Sequence, residues 1–485
     1  MEQNESKYIK MTTEPVEKLV IRLAVPTIIS MLVTTFYNLA DTFFVRQLEK
    51  DSMVAAVGIV LPLMTLIQAV GFFCGQGSGN YISRAYGRRD FESAEKMAST
   101  GFFLAIIIGF FILSAGLVFR QDLVWLLGAK TEATMKSTVD YMTYILLAAP
   151  FMCGAIVLNN QLRQQGNAFF AMIGLAGGGI INIVLDPLFI FTPGQYILGG
   201  TVRIPYGVGM GVAGAACATA VSQAASFVLL LIGTSRSDNI KIKLRNFTPN
   251  IYYIRGISQA GLPSLARQGV SSIASACLNH SVGIYLSGDA LLEAAQAALT
   301  GVNKIMHFIS SAILGFGQGF QPVCGFNYGA KKYDRVYKAF FFCLKVGITA
   351  MCSFAVLGYI FALDITHTVV GTSQLAWQIA QVSFKAQLLV LPLQVWVILS
   401  NMFMQNIGHT GKATLLAMAR QGIAFVPTVL VLPYICSALG AGALTGLELS
   451  QATADAIAFM IALPIGIGEL RRLKKAAEEQ QTTEF

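Results

Sequence analysis

Long apolar segments, separated by short polar loops, follow one another along almost the whole chain. A helix needs about 20 apolar residues to cross the hydrocarbon core of a bilayer, and twelve segments reach that length. Membrane-spanning strands are not expected, because the segments are too long and do not alternate between apolar and polar positions. The pattern therefore predicts an all-α integral membrane protein with spans at 18–45, 54–83, 95–119, 137–161, 168–192, 208–233, 255–286, 292–325, 337–362, 378–407, 412–438 and 448–469.

The composition agrees with this interpretation. Hydrophobic residues make up 55% of the 485 residues and charged residues only 12%, whereas soluble domains contain about 25% charged residues. The net charge of +9 could indicate a nucleic-acid partner. We expect none, because the basic residues lie in short loops and form no stripe interleaved with aromatic residues.

The basic residues are distributed unequally between the two sides of the predicted membrane. The chain ends and the loops on their side carry 23 Lys and Arg residues, and the loops on the opposite side carry 6. Positive charge accumulates on the cytoplasmic side of membrane proteins. We therefore predict a multi-pass protein of the cell membrane with both termini in the cytoplasm.

The two halves of the chain share one register. Pro150 and Pro392 lie 242 residues apart, as do Asn159 and Asn401, and the GQG at 75–77 recurs at 317–319. Six spans in each half bring both halves into the membrane from the same side, which predicts two six-helix bundles related by a pseudo-two-fold axis along the membrane normal. Repeats of this kind are typical of transporters, whose substrate site lies near the middle of the membrane.

The repeat also predicts the domain boundaries. Residues 1–233 would form an N-lobe with six spans, and residues 255–470 a C-lobe with the other six. The polar, basic segment 234–254 would be a cytoplasmic linker, and residues 471–485 a cytoplasmic tail.

Two carboxylates lie inside apolar spans of the first half. Asp41 belongs to span 1, with Tyr37 and Asn38 one helical turn before it, and Asp186 belongs to span 5, with Asn182 one turn before it. Ionisable residues at this depth are costly and tend to mark ion or substrate pathways. We predict a cation or proton-coupling site at Asp41, Asp186 and Asn182, beside a substrate cavity that includes Tyr37 and Asn38.

The second half has no acid at the matching positions. Its embedded charges are basic instead, at Arg267, Lys304 and Lys385. Asp455 and Glu293 lie near the ends of spans, and we predict that both are interfacial. The two halves have therefore diverged in their chemistry, with the acid pair kept in one half.

The chain resembles the MATE (multidrug and toxic compound extrusion) family, in particular bacterial members of the MepA and DinF type. The resemblance rests on YNLADTFFV in span 1, YGRRD after span 2 and NIVLDPLFI in span 5. It implies a V-shaped pair of six-helix bundles that expels lipophilic, cationic drugs in exchange for H+ or Na+. It also implies no cofactor other than the coupling ion, and we expect a monomer surrounded by membrane lipid.

The resemblance further implies a set of site residues. The cation site would consist of Asp41, Asn182, Asp186 and Thr219, and Asn159 would line the cavity. A cage of carboxylate, amide and hydroxyl oxygens also suits a hard cation such as Na+, so the choice between H+ and Na+ stays open. The acids that other members carry in spans 7 and 10 are absent from this chain.

A mechanism follows as a hypothesis. Removal of a carboxylate from water favours its protonated form, and an ionised carboxylate attracts an organic cation. Proton and drug would then compete for one charge, each weakening the binding of the other, as antiport requires.

Two rival functions remain open. Arg267, Lys304 and Lys385 could line the cationic cavity of a flippase for lipid-linked oligosaccharides from the same superfamily, although the acids of the N-lobe argue against it. A membrane enzyme would need a cluster of catalytic residues, and the sequence offers no such cluster, so we do not expect an enzyme.

Overall fold

The computed structural model describes residues 2–48, 51–197, 201–236, 239–370 and 373–483. Nearly all of these residues are helical, as the apolar pattern predicts. A short antiparallel hairpin, β1 (Tyr196–Ile197) and β2 (Val202–Arg203), lies in the loop between the fifth and sixth predicted spans.

The helices of the first half follow the predicted spans. A short helix precedes the first span, and another lies between the third and fourth. These helices are α1 (Glu2–Thr13), α2 (Val16–Arg46), α3 (Asp51–Gly87), α4 (Phe91–Val118), α5 (Arg120–Leu126), α6 (Glu132–Gln164), α7 (Ala168–Ile190) and α8 (Val212–Ser235).

The helices of the second half repeat this order after a 3₁₀ turn at Leu244–Asn246. A π-helical turn, Ala419–Phe425, joins α14 to α15 in one membrane-length element. The helices are α9 (Ile251–Tyr285), α10 (Asp289–Gly329), α11 (Tyr333–Ile360), α12 (Ala362–Val370), α13 (Gln374–Ile407), α14 (Thr410–Met418), α15 (Val426–Ala438) and α16 (Ala443–Thr483).

Eleven of the predicted spans coincide with described helices that are long and apolar enough to cross a membrane. The span predicted at 255–286 is α9, a helix of 35 residues that is less apolar because it carries several Ser and Gln residues and Arg267. With α9 as the twelfth, the described residues form the all-α membrane fold that the sequence predicts.

The chain divides into two compact units. One contains Met1–Lys10 and Val25–Gly261, and the other contains Met11–Ala24 and Leu262–Phe485. Both α2 and α9 therefore contribute residues to each unit. The lobe boundaries drawn at the 234–254 linker stay a prediction.

One long helix organises the packing within each unit. In the first unit α6 packs against α3, α4, α7 and α8, and in the second unit α13 packs against α10, α11, α12 and α16. The two central helices occupy the same place in the sequence repeat. A helix surrounded by others is largely hidden from lipid, which explains why α6 and α13 have the highest buried fractions of the membrane-length helices.

The repeat extends to individual contacts. The side-chain amide of Asn159 donates to the carbonyl oxygen of Ala171 at 2.9 Å, and that of Asn401 donates to the carbonyl oxygen of Ala413 at 2.7 Å. The bounds of α4 and α11 differ by 242 residues at both ends. The duplication predicted from scattered Pro, Asn and Gly residues is therefore confirmed.

Close helix approach in the first unit depends on Gly214. A Cβ added to Gly214 in α8 would clash with the backbone oxygen of Phe189 in α7, whereas a Cβ at Gly58 in α3 meets nothing within 4 Å. The sequence around Gly214, GMGVAG, matches a dinucleotide-binding pattern, but the described strands that precede it are the two-residue strands of an antiparallel hairpin and not part of a βαβ unit. The glycine serves helix packing.

We predict that Gly214→Ala destabilises the protein by about 1–3 kcal/mol, because backbone atoms cannot move away from the new methyl group. Thermal unfolding of the purified protein in detergent measures the effect. Gly58→Ala is the matched control, and its midpoint should be unchanged or slightly higher, since Ala favours a helix more than Gly does. Equal midpoints for the two variants would contradict the packing role.

Candidate cation site and a basic cavity

The predicted cation site lies in the first unit, where α7 and α8 pack together. Asp186 and Asn182 are buried on one face of α7, because they lie one helical turn apart. The amide nitrogen of Asn182 donates to Asp186 Oδ1 at 3.3 Å and to Thr219 Oγ1 of α8 at 3.4 Å. The structure thus joins three of the four residues that the resemblance implies.

Asp41 of α2 approaches the same cluster. It lies close enough to Asp186 for the charges of the two carboxylates to interact. Its Oδ1 is buried without a hydrogen-bond partner among the described residues. Two ionised carboxylates this close repel each other, so the pair favours the uptake of one positive charge.

Three oxygens of this cluster share one property. Asp41 Oδ1, Asn182 Oδ1 and Asp186 Oδ2 are buried acceptors without a donor among the described residues. Buried acceptors usually have a donor, so unsatisfied ones call for an explanation. Two carboxylates and one amide oxygen suit either a proton or a hard cation.

Tyr37 lies next to this cluster. Its hydroxyl hydrogen-bonds Gln223 of α8, and Asp41 lies within electrostatic range of it. The Tyr37 ring packs on Gly179 of α7, where an added Cβ would lie 3.0 Å from Tyr37 Cδ1. Tyr37 therefore connects α2 to α7 and α8 beside the acids.

The other two predicted cavity residues have different surroundings. Asn38 is exposed, and its side chain makes no described hydrogen bond. Asn159 is buried, but its amide bonds the backbone of α7 and not a residue of the acid pair. Their place in a substrate cavity stays a prediction.

Sequence reasoning missed two residues near the acids. Tyr141 of α6 is fully buried and close enough to both Asp41 and Asp186 for electrostatic interaction. Gln223 holds the hydroxyl of Tyr37. Tyr and Gln are uncharged, and neither residue stands at a helical spacing from an acid, so no local signal indicated them.

The prediction that Asp455 is interfacial is wrong. Its carboxylate is fully buried in the second unit and accepts hydrogen bonds from Arg420 Nε at 2.7 Å, Gln394 Nε2 at 2.7 Å and Gln451 Nε2 at 3.0 Å. Sequence position near a helix end is a poor guide here, because α16 is 41 residues long and Asp455 lies twelve residues inside it. Arg420 could have indicated a buried partner from the sequence, since it is an ionisable residue within an apolar span.

The three basic residues named from the sequence do not act together. The ammonium of Lys385 lies over the ring of Tyr359, 5.3 Å from its centroid. Lys304 is exposed. Only Arg267 lines a described cavity of the second unit, together with Arg420.

Comparisons with known proteins agree with this fold. The MatE family model matches residues 26–188 and 282–431. The multidrug export protein MepA of Staphylococcus aureus is 26% identical over 425 residues, which cover 86% of this chain and 87% of that protein.

Two solved structures are similar over almost their full length. A MATE protein in complex with MaL6 has a TM-score of 0.85 and 27% identity, covering 96% of this chain and 99% of the other. An outward-facing multidrug resistance MATE transporter of the MOP superfamily has a TM-score of 0.84 and 26% identity. The match covers 96% of this chain and 98% of the other.

The family match spans more than half of the chain and includes both repeats. The chain therefore belongs to the MATE family of membrane transporters. It is a multi-pass membrane protein and a transporter, not an enzyme.

We predict that Asp455→Asn destabilises the protein by about 3 kcal/mol, because it leaves the largely buried guanidinium of Arg420 without its counter-charge. The measurement is thermal unfolding of the purified protein. Glu293→Gln, which removes an exposed acid of α10, is the control and should unfold like the wild type. A stable Asp455→Asn variant would show that the ion pair contributes little.

Proposed function

We propose that the protein exports lipophilic, cationic compounds across the cell membrane in exchange for H+ or Na+. The observation that carries this proposal is the group of three unsatisfied acceptor oxygens on Asp41, Asn182 and Asp186. The similarity to multidrug export proteins supports export as the direction of transport and drugs as the substrates.

The two carboxylates form the exchangeable charge. With both ionised, the site carries two negative charges in a poorly solvated place, and binding of one proton or one Na+ lowers the repulsion. Binding of an organic cation also lowers the repulsion between the two carboxylates. Since either species satisfies the same charge, each weakens the binding of the other, which couples their movements in opposite directions.

Asn182 and Tyr37 contribute to the competition between the coupling ion and the organic cation. The Asn182 amide donates to Asp186 and to Thr219, so its own carbonyl oxygen stays available as a third ligand for a cation. The Tyr37 ring offers an aromatic face near Asp41, and such faces attract organic cations. Thr219 holds the amide in this orientation.

Placement in the cell membrane with both termini in the cytoplasm is part of the proposal. The excess of basic residues on one side of the predicted membrane supports it. The flippase alternative has less support, because only one of its three basic residues lines the cavity described here.

We predict that Asp41→Asn and Asp186→Asn each reduce ethidium export from proteoliposomes at least about tenfold, because the amide cannot take up and release a charge. Both variants should fold, since asparagine has almost the same shape as aspartate. Asp140→Asn removes an exposed acid of α6 and should leave export unchanged. Normal export by Asp41→Asn would refute the assignment.

The coupling ion is decided by collapsing one gradient at a time in the same proteoliposomes. Loss of export after collapse of the sodium gradient alone identifies Na+, and loss after collapse of the pH gradient alone identifies H+. Export that survives the loss of both gradients would contradict antiport.

A further inference from the structure

A second polar site lies within the second unit. Two arginines, Arg267 of α9 and Arg420 of the π-helical turn, line a cavity of about 100 Å³. The other residues that line it include both apolar and neutral polar side chains, among them Ser310, Asn401, Gln421, Leu314, Val397 and Met402. No acidic residue is among the described residues of the lining.

The charge of Arg420 is already compensated. Asp455 accepts from its guanidinium at Oδ1 and, more weakly, at Oδ2, at distances of 2.7 and 3.4 Å. The Asp455 side chain is 0% exposed, whereas that of Arg420 is 22% exposed. The carboxylate of Asp455 is therefore enclosed behind the guanidinium of Arg420. Part of that guanidinium stays accessible from the cavity.

Further hydrogen bonds hold Asp455 in place. Gln394 donates one amide hydrogen to Asp455 and accepts a hydrogen bond from the hydroxyl of Ser310 at 3.2 Å. Gln451 donates to the other carboxylate oxygen. With its acceptors occupied, Asp455 is not available to compensate a second arginine.

Arg267 has no such partner. The described carboxylates form no ion pair with it, and no hydrogen bond of its side chain is present among the described residues. The lining of the cavity therefore carries one uncompensated positive charge. Arg267 is half-buried, and a charge with reduced access to water is costly unless an anion pairs with it.

The backbone at this place is also unusual. π-helical turns are rare and frequently occur at functional sites. The turn at Ala419–Phe425 brings Arg420 and Gln421 to the cavity, and the matching residues of the first half are Gly178 and Gly179 in the regular helix α7. The two halves differ in both shape and charge at this position.

We propose that this cavity binds the anionic group, a carboxylate or a phosphate, of an amphiphilic molecule. Arg267 supplies the uncompensated charge, and Arg420, held by Asp455, supplies further donors. A planar guanidinium can bind either group with two parallel hydrogen bonds. The apolar residues of the lining accept the adjoining part of the molecule. The proposal does not depend on the coupling chemistry of the acid pair.

The test compares two ligands of equal length, decanoate and decanol, on the full-length protein in phosphatidylcholine nanodiscs by isothermal titration calorimetry. Decanoate should bind at least about tenfold more tightly than decanol, because only decanoate offers a charge to Arg267. Arg267→Gln should remove this preference, and Arg267→Lys should keep part of it. Lys385→Gln, which removes a basic residue stacked on Tyr359, should keep the full preference.

The source of the anion is distinguished by adding phosphatidylglycerol to the nanodiscs. If phosphatidylglycerol weakens decanoate binding to the wild type but not to Arg267→Gln, the occupant is an anionic lipid. Unchanged binding identifies a solute. Both results support the site. Equal binding of decanoate and decanol to the wild type overturns the proposal without any variant, as does a full charge preference in Arg267→Gln.

Discussion

Charged groups inside a membrane protein lack the water that would otherwise stabilise them, and this constraint governs the polar chemistry of both halves. The carboxylate of Asp455 accepts four hydrogen bonds, which hold it in place. Asp41 and Asp186 retain oxygens without donors among the described residues. The same functional group thus has its acceptor oxygens paired in one place and keeps unpaired oxygens in the other, and the number of donors makes the difference.

The duplicated scaffold explains how such a difference can persist. Contacts that hold helices together recur in both halves, as the bonds from Asn159 to Ala171 and from Asn401 to Ala413 show. Since packing is carried by the repeat, the residues of α7 and of its counterpart around the π-helical turn can differ freely. One half has kept acids with small glycines, and the other has gained an arginine.

The central helices connect packing to chemistry. α6 contributes Tyr141 to the surroundings of the acids, and α13 contributes Gln394 to the network around Asp455. A helix packed against four others has little freedom to rotate, because interiors are close-packed. The polar side chains of each central helix are therefore held at a defined depth in the membrane. A site that depends on several weak hydrogen bonds needs its groups to be fixed in this way.

The sequence by itself determined the membrane spans, the duplication and the pairing of Asn182 with Asp186, because apolar length and a spacing of four residues are local properties of a helix. The family resemblance added Thr219, which the structure places 3.4 Å from Asn182. Only the tertiary structure decided that Asp41 approaches Asp186, that Tyr141 and Gln223 lie nearby, and that Asp455 meets Arg420. These contacts join different helices, and the rotation and depth of one helix against another depend on side-chain packing across the whole unit, which no local pattern records.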